Sequence, residues 1–470
     1  MDWFAAPDHW WSRLIFQRGL AAVYLVAFLV TLNQFRALIG ENGLTPVPRF
    51  LARTSGRRHP SVFRLHYSDR FLAAVALVGA VLSAATVAGL TDLLPTVPGM
   101  LVWLLLWAAY LSIVNVGQVW YGFGWETLLL EAGFLAVFLG NDDVAPPLPV
   151  LWLTAWLLFR VEFGAGLIKM RGDRCWRDLT CLDYHHETQP MPGPLSRFFH
   201  SRPRWVHRAE TAANHVTQLV VPFGLFLPQP VATVAGAVVL VTQAWLVISG
   251  NFSWLNALTM LLAVPVLDLS GLLGDGPAAP VPVWFAVAGI AVTALVVALS
   301  VRPVLNMISG RQLMNASFEP LRLVNAYGAF GSVTRTRYEI IIEGTRDTTP
   351  GPETAWHEYG FRGKPGDPAR RPPQVAPYHL RLDWLMWFAA LSPSMAEPWF
   401  RRFVDRLLEA DRRTLSLLRH DPFDGDRPAW VRARLFHYRF ADDREHAATG
   451  DVWVRSPVSQ FLSPVAARDR

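Results

Sequence analysis

The chain contains little lysine, little cysteine and little charge. Lys169 and Lys364 are its two lysines among 43 basic residues, so the other basic residues are arginine. Two cysteines in 470 residues exclude a disulfide-built scaffold and a four-cysteine metal site within one chain. Charged residues make up 17% of the chain, well below their usual share in soluble domains. The composition therefore argues against an ordinary soluble protein.

The scarcity of lysine is explained largely by a coding bias that favours arginine. Against that background a retained lysine is informative, because an ammonium group can lose its proton when it is desolvated, whereas a guanidinium group cannot. Lys169, at the end of an apolar run, is therefore a candidate functional residue.

Apolar and aromatic residues are abundant instead. Hydrophobic residues make up 52% of the chain, and twenty tryptophans supply rings that favour membrane–water boundaries. Stretches of about twenty apolar residues indicate transmembrane helices. Nine apolar stretches occur, at residues 14–38, 71–94, 98–117, 124–140, 150–168, 213–229, 231–249, 252–269 and 281–301. The fourth, sixth and eighth are short or interrupted and could be re-entrant. We therefore predict a polytopic α-helical membrane protein with seven to nine membrane segments.

Three polar regions separate or follow these stretches, at residues 39–70, 169–212 and 302–470. If all nine stretches span, the three regions lie on one face of the membrane, and the first two are rich in arginine. By the positive-inside rule this face would be cytoplasmic. The opposite face would hold the acids Asp92, Asp142, Asp143 and Asp275.

The composition changes near residue 302, where arginine, proline and turn residues become more frequent. Apolar alternation predicts strands at residues 338–345, 430–440 and 451–458. The spacing at 399–418 predicts an amphipathic helix. We therefore divide the chain into a helical membrane domain, residues 1–301 with the polar loops 39–70 and 169–212, and a soluble C-terminal α+β domain, residues 302–470.

A further segment of this C-terminal domain, residues 379–391, is rich in aromatic residues. It is aromatic enough to lie against the membrane, and a buried core helix explains it almost as well.

Ionisable residues within membrane stretches are costly, so each is a functional hypothesis. They are Glu126, Glu131, Arg160, Glu162 and Lys169. Glu162 and Lys169 are seven residues apart, about two helical turns, and therefore share one side of a helix. The alternative for Lys169 and Arg171 is that both sit at the end of a span and simply extend to water.

The two cysteines, Cys175 and Cys181, follow shortly after Lys169 in the pattern C-x5-C. This spacing is wider than the redox motif C-x-x-C and carries no metal signature. Neighbouring Arg174 and Arg177 would favour the thiolate, which is the species that exchanges disulfides. A static disulfide across this short loop and two unremarkable buried thiols are the alternatives.

The segment after the cysteines places Asp183, His185, His186 and Glu187 within five residues. Adjacent histidines diverge and cannot easily serve one tetrahedral site, so we favour a salt-bridged loop and predict no metal site. His215 begins an apolar stretch and is more typical of a satisfied interior histidine. Common nucleotide-binding and hydrolase motifs are absent, and the scattered arginines do not form a nucleic-acid surface.

Several long strings resemble the lipase maturation factor family. They are GDRCWRDLTCLDYHHETQPMPGPLSRFFH (172–200), RWVHRAETAANH (204–215), ISGNFSWLNALTM (248–260), NAYGAFGSVTRTRYEIIIEGT (325–345) and PYHLRLDWLMWFAA (377–390). The resemblance implies a membrane protein that helps secreted lipases to reach an active fold, in the endoplasmic reticulum of eukaryotes. In a bacterial member, which the arginine bias suggests, the corresponding site is the plasma membrane.

The resemblance also implies that the loop 169–212 engages the client. The residues that would shape this docking loop are Arg171, Asp173, Arg174, Trp176, Arg177, Asp178, Asp183, His185, His186 and Glu187. The family places this loop and the C-terminal domain outside the cytoplasm, which conflicts with the distribution of arginine. We follow the family and expect an extracytoplasmic C-terminal domain.

A second resemblance concerns FGAGLIKM (163–170), which is similar to a span-end motif of vitamin K-dependent gamma-carboxylases. In those enzymes a lysine at the position of Lys169 deprotonates a reduced quinone. The asparagine–histidine motif that they carry on an earlier span is absent here, where the chain reads YGFGWETLLLE. Glutamate carboxylation is therefore doubtful, although a shared scaffold with a quinone-like lipid is compatible with the sequence.

Three functional hypotheses follow. The leading one is a non-catalytic folding factor that presents its polar loop and C-terminal domain to secreted lipases at the membrane surface. Membrane lipids would be further partners, and no cofactor would be required. The second is a thiol–disulfide oxidoreductase in which Cys175 and Cys181 exchange disulfides and a quinone near Lys169 carries electrons. The third is a membrane scaffold without a client.

Overall fold

The computed structural model describes residues 3–274, 276 and 280–466. Within these residues, six helices are long and apolar enough to cross a membrane: Pro7–Leu38, Asp69–Val87, Thr96–Val116, Leu148–Arg171, Val231–Ser249 and Val283–Ile308. The first contains a 3-10 turn and helix α1 (Trp10–Leu38), and the last contains α15 (Val283–Leu299) and α16 (Val301–Ile308). The other four are α3, α4, α6 and α12. The prediction of a polytopic helical membrane protein is confirmed.

The predicted count of seven to nine segments is too high by this measure. Three of the predicted stretches are short or interrupted, and each folds into shorter helices. These are α5 (Gly124–Ala136), α10 (Arg204–Leu219) with α11 (Val221–Gly224), and α13 (Leu255–Ala263) with the 3-10 turn Val264–Val266. All 13 residues of α5 are buried. Such a helix is surrounded by protein rather than lipid, so it does not need the length of a lipid-facing span.

The two ends of the bundle are identified by hydrogen bonds between distant segments. At one end, Arg13 donates to the backbone oxygens of Asn141 and Val144 at 2.6 and 2.7 Å. Asp92 and Asp142 pair with arginines of α1 at this end, as expected for the acidic side. Asp275 lies outside the described residues.

The opposite end carries the polar regions. The Gln34 amide donates to the His379 backbone oxygen at 2.7 Å, Asn115 contacts the Pro320 oxygen at 3.4 Å, and Arg197 pairs with Asp443 at 2.8 Å. Arg406 also donates to the Asn42 backbone oxygen at 2.5 Å, so the three polar regions share one end of the bundle.

Short helices complete the membrane-domain region. They are α2 (Val47–Arg53), α7 (Arg174–Arg177), α8 (Leu182–Thr188), α9 (Ser196–His200) and α14 (Ser270–Leu273), with 3-10 turns at Val62–Arg64 and Gln118–Tyr121. Three of them, α7 to α9, lie in the polar loop 169–212 and give it a fixed fold.

The C-terminal region contains a four-stranded antiparallel sheet in the order β4-β3-β5-β6. Its strands are β3 (Arg337–Thr345), β4 (His357–Glu358), β5 (Trp430–Phe440) and β6 (Trp453–Ala466), and a separate pair joins β1 (Ala316–Ser317) to β2 (Asn325–Ala326). The register of β3 against β5 runs from Arg337–Tyr438 to Thr345–Trp430. The predicted strands at 338–345 and 430–440 are confirmed, and that at 451–458 extends to Ala466.

The described part of the C-terminal region also contains four helices. They are α17 (Arg381–Leu391), α18 (Trp399–Leu408), α19 (Arg412–Leu415) and α20 (Asp443–Thr449), with a 3-10 turn at Pro393–Ala396. Of these, α17 and α18 contact the sheet. The single helix predicted at 399–418 is wrong, because Ala410 adopts a φ of 51° and Asp411 caps a new helix by accepting from the Thr414 amide. Helix α17 packs on β3 with Leu382 and Met386 fully buried, so the core-helix explanation of 379–391 applies.

Candidate functional site at the polar end of the bundle

Helix α6 brings Lys169 to the polar end of the bundle. The Lys169 ammonium donates to Asn214 Oδ1 at 2.8 Å and Gln218 Oε1 at 2.9 Å, both on α10. It also lies 4.7 Å from the centre of the Trp176 ring. The side chain is buried and turned inward, so the alternative in which it extends to water does not apply to Lys169. These three contacts suit a protonated ammonium group, which has three N–H bonds to direct.

A polar track continues from Lys169 into the bundle. Glu162 lies on the same side of α6, as predicted, and accepts from Gln243 Nε2 at 2.6 Å. Gln243 in turn accepts from Asn256 Nδ2 at 2.7 Å. The track therefore joins α6, α10, α12 and α13 through amide side chains, which provide hydrogen-bond partners for both charged groups.

Glu131 and Arg160 form a buried ion pair that also binds the C-terminal region. Glu131 accepts from the Tyr327 hydroxyl at 2.7 Å and from the backbone and side-chain nitrogens of Asn325 at 3.0 Å. Arg160 donates to the Asn325 backbone oxygen at 2.7 Å. The pair therefore has further hydrogen-bond partners on both sides, which a buried ion pair needs in order to be tolerated, although Arg160 Nε has none.

Glu126 forms the second attachment of the C-terminal region. Arg381 inserts into the bundle and donates to Glu126 Oε1 at 2.7 Å, while its guanidinium lies 3.5 Å from the centre of the Tyr121 ring. The Tyr110 hydroxyl donates to the other carboxylate oxygen, and His379 lies 3.6 Å away. All these groups are buried, so the two glutamates of α5 anchor two separate segments of the C-terminal region.

Sequence reasoning identified both glutamates but missed Arg381, Asn325 and Tyr327. Their partners are 194 to 255 residues away in the chain. The one available signal was an arginine within the apolar segment 379–391, since an arginine there needs a buried partner.

Cys175 and Cys181 are joined by a disulfide. Both are buried, and the pair packs under Trp176, whose indole N–H donates to the Phe330 backbone oxygen at 2.8 Å. A thiolate must reach a disulfide sulfur in order to exchange with it. The geometry therefore favours the static disulfide among the three alternatives.

Gly172 explains how the C-terminal region approaches this disulfide so closely. A side chain at this position would overlap the backbone oxygen of Gly331, to which the Asp173 amide donates at 2.7 Å. Arg335 also lies 3.6 Å from the Asp173 carboxylate.

The proposed docking loop divides into exposed and buried residues. Its exposed members are Arg171, Arg174, Arg177 and Asp178, with Arg174 and Asp178 paired at 3.1 Å. Trp176, His186 and Glu187 are buried, so they shape the loop from within and are not free to contact a client. Asp173, Asp183 and His185 are partly exposed.

Three histidine–carboxylate pairs hold helices α8, α9 and α10 together. The nitrogen–oxygen distances are 3.0 Å for His207–Asp183, 3.5 Å for His200–Glu187 and 3.7 Å for His186–Glu210. Among the described residues, no group of histidine, cysteine and acidic side chains could hold a metal ion. His207 is within hydrogen-bond distance of Asp183, whereas burial lowers the pKa of His200 to about 4 and leaves His200 uncharged at neutral pH.

Two further histidines pack around the disulfide. The His185 ring lies 5.2 Å from the ring of Phe330, and its burial, with the charges of His186 and Lys169, lowers the pKa of His185 to about 3. His215 Nε2 lies 2.9 Å from the Trp176 backbone oxygen. His215 therefore has a partner for one ring nitrogen, whereas its Nδ1 is buried without one, so the prediction of a satisfied interior histidine holds only in part.

Together these features define a helical membrane protein whose buried charges bind a C-terminal α+β region to the polar end of the bundle. The chain belongs to the lipase maturation factor family. The model of the lipase maturation factor transmembrane domain matches residues 11–272, and that of the C-terminal domain matches residues 323–463. The family assignment made from the sequence is confirmed.

Proteins that carry the family name align with this chain over most of their length. The chain is 42% identical to Lipase maturation factor 1 of Bos taurus, over 99% of this chain and 90% of that protein. It is also 42% identical to Lipase maturation factor 1 of Homo sapiens, over 98% and 88% of the two chains. Identity to Lipase maturation factor 2 of Homo sapiens is 28%, over 97% and 83%. No protein of solved structure matches the chain significantly.

Proposed function

We propose that this chain is a membrane-embedded maturation factor that assists secreted lipases to reach their active fold. The observation that carries the proposal is the match of 42% identity over 99% of the chain to a protein named Lipase maturation factor 1. Since that match includes both the bundle and the C-terminal region, the relatives share the parts that the buried charges join.

The proposed client surface is the polar end of the bundle, where the docking loop and the C-terminal region lie side by side. Arg171, Arg174, Arg177 and Asp178 are exposed there and supply charged contacts. The loop is fixed by its disulfide and by the hydrogen bond between His207 and Asp183. A fixed loop binds with a smaller loss of conformational entropy than a flexible one.

The proposed activity needs no electron transfer and no cofactor. The Cys175–Cys181 disulfide is covered by Trp176, which does not support exchange with a client. Lys169 is held by Asn214, Gln218 and Trp176, and this environment does not fit a free base acting on a quinone. We therefore assign both features to the structure of the loop.

A secretion assay tests the proposal. Cells that lack their own lipase maturation factor are given this chain and a secreted lipase, and the activity per mass of secreted lipase is measured. We expect the chain to restore activity, and reversal of charge at Arg174 and Arg177 to reduce it. Reversal of the exposed Arg427, away from the loop, is the matched control. Unrestored activity with a well-expressed, membrane-inserted chain would contradict the proposal.

We further propose that the polar end faces away from the cytoplasm, since secreted clients fold there. The test uses chains with both native cysteines replaced by serine and one new cysteine, at Arg174 on the polar end or at Asp143 on the acidic end. Labelling of intact cells with a membrane-impermeant maleimide should modify the cysteine at 174 and spare that at 143. The reverse pattern would place the arginine-rich end in the cytoplasm, as the positive-inside rule predicts.

A further inference from the structure

Strand β6 presents an open edge. It is the last strand in the order β4-β3-β5-β6, and its ladder with β5 occupies one of its two edges. No strand of the described residues pairs with the other edge. An open edge offers a row of backbone donors and acceptors that another extended chain can pair with.

The open edge is uncharged over most of its length. Residues 456–466 contain no ionisable side chain, whereas protected edges commonly carry lysine or other charges. Pro457 and Pro464 lack an N–H group and therefore interrupt the edge at two places. Between them lie six residues, 458–463, which extend roughly 20 Å in a strand. The ladder with β5 shifts register at three points alongside this run, so bulges bend the edge there.

An apolar groove adjoins this run of six residues. It has a volume of about 790 Å³ and lies between the sheet and the segment 390–401. Ser459, Gln460 and Phe461 of β6 form one wall, and the rings of Phe461 and Phe400 meet at 5.1 Å. Tyr338, Leu391 and Leu435 complete the apolar lining. The edge and the groove therefore form one continuous surface.

The near absence of charge indicates what this surface binds. Glu397 and Arg401, of opposite sign, are the two charged residues that line the groove, and the neighbouring edge has none. A charged segment laid here would lose hydration without gaining a partner. An uncharged, apolar extended segment would keep its backbone hydrogen bonds through the edge and bury alternate side chains in the groove.

We infer that the edge of β6 and the adjoining groove bind an extended, uncharged apolar segment of an incompletely folded client by strand addition. Such segments are buried in folded proteins, so they are available only before the client has folded. The site would therefore release the segment once the client buries it. This inference rests on the proposed function, since it names the part of the client that is recognised.

A peptide-binding experiment tests the inference on the full chain reconstituted in nanodiscs. The probe is a fluorescein-labelled peptide with a six-residue core of valine, threonine and phenylalanine between lysines, and its counterpart has prolines at alternate core positions. We expect the first peptide to bind and its counterpart to bind about tenfold more weakly, since proline removes the backbone donors.

Two variants locate the site. Val458→Lys places a charge on the open edge at a residue that is 51% exposed, and Leu391→Lys does the same on the groove wall at an exposed residue. Both should weaken binding about tenfold, as a desolvated charge costs at least 1.4 kcal/mol. Ala448→Lys, at an exposed position on α20, is the matched control and should leave binding unchanged.

Three outcomes would overturn the inference. The first is that Val458→Lys binds the peptide as tightly as the native chain does. The second is that the proline peptide binds as tightly as its counterpart. The third is that no peptide binds and the chain forms dimers that Val458→Lys dissociates. The last would assign the edge to a second copy of this chain. The secretion assay is a separate measurement: if it fails while the probe binds at the β6 edge, the proposed function is contradicted and the peptide site remains.

Discussion

Replacement of Arg381 by methionine should loosen the attachment of the C-terminal region to the bundle. In the native chain the Arg381 guanidinium lies 2.7 Å from the Glu126 carboxylate. Methionine fills a similar volume but leaves Glu126 as a buried carboxylate without its cation. Removing one partner of a buried ion pair typically destabilises by about 3–5 kcal/mol. If α17 opens locally, this corresponds to an increase of about 100- to 5,000-fold in its opening equilibrium.

Hydrogen–deuterium exchange of the α17 backbone in nanodiscs measures this opening directly. The double variant Arg381→Met/Glu126→Gln removes both charges and should recover at least half of the lost free energy, because a neutral amide costs less to bury than a carboxylate. Arg427→Met, at an exposed arginine, is the control. Exchange of Arg381→Met within threefold of the native chain, or of the double variant equal to the single one, would refute the reasoning.

Three further changes test the loop and the polar track. Joint replacement of Cys175 and Cys181 by serine should lower the free energy of unfolding by about 2 kcal/mol, because a loop of this length gains entropy in the unfolded chain. Secreted lipase activity should then fall only in proportion to the amount of folded protein. A single serine variant that traps a client in a mixed disulfide would show exchange instead. The variant Lys169→Met should destabilise the membrane domain by about 1–3 kcal/mol through lost charged hydrogen bonds. Adding Glu162→Gln removes the buried carboxylate that the Lys169 charge stabilises and should therefore recover part of the melting temperature and of the maturation activity. Activity that stays lost in a stable double variant would indicate catalysis. Burial lowers the pKa of His185 from its ordinary 6.5 to about 3. The stability that this group contributes is therefore present above about pH 6.5 and is lost as the pH falls below 6.5. At pH 5.5 the loss is about 1 kcal/mol. The melting temperature of His185→Leu should therefore fall less between pH 7.5 and 5.5 than that of the native chain. An equal fall would contradict this assignment.

Local patterns in the sequence predict many of the elements in the structure. Apolar runs near twenty residues identify the long helices, and apolar alternation identifies β3 and β5 to within one residue. The helical period also places Glu162 and Lys169 on one side of α6. These features depend on neighbours within a few turns or pleats, which is information that the sequence carries directly.

The tertiary structure decided which distant groups meet. Arg381 reaches Glu126 across 255 residues, and Tyr327 reaches Glu131 across 196. Burial of the disulfide under Trp176 likewise depends on Phe330, far along the chain. Such contacts are set by how helices pack and by where a buried charge finds a partner, and no local pattern specifies either.

The sequence by itself therefore determined the membrane class, the family and the main helices and strands. The packing alone decided that α5 needs no lipid-spanning length, that Lys169 faces α10 rather than water, and that the uncharged edge of β6 lies beside an apolar groove. The physical reason is that periodicity and capping act over a few residues, whereas burial is shared by segments that meet only once the chain has folded.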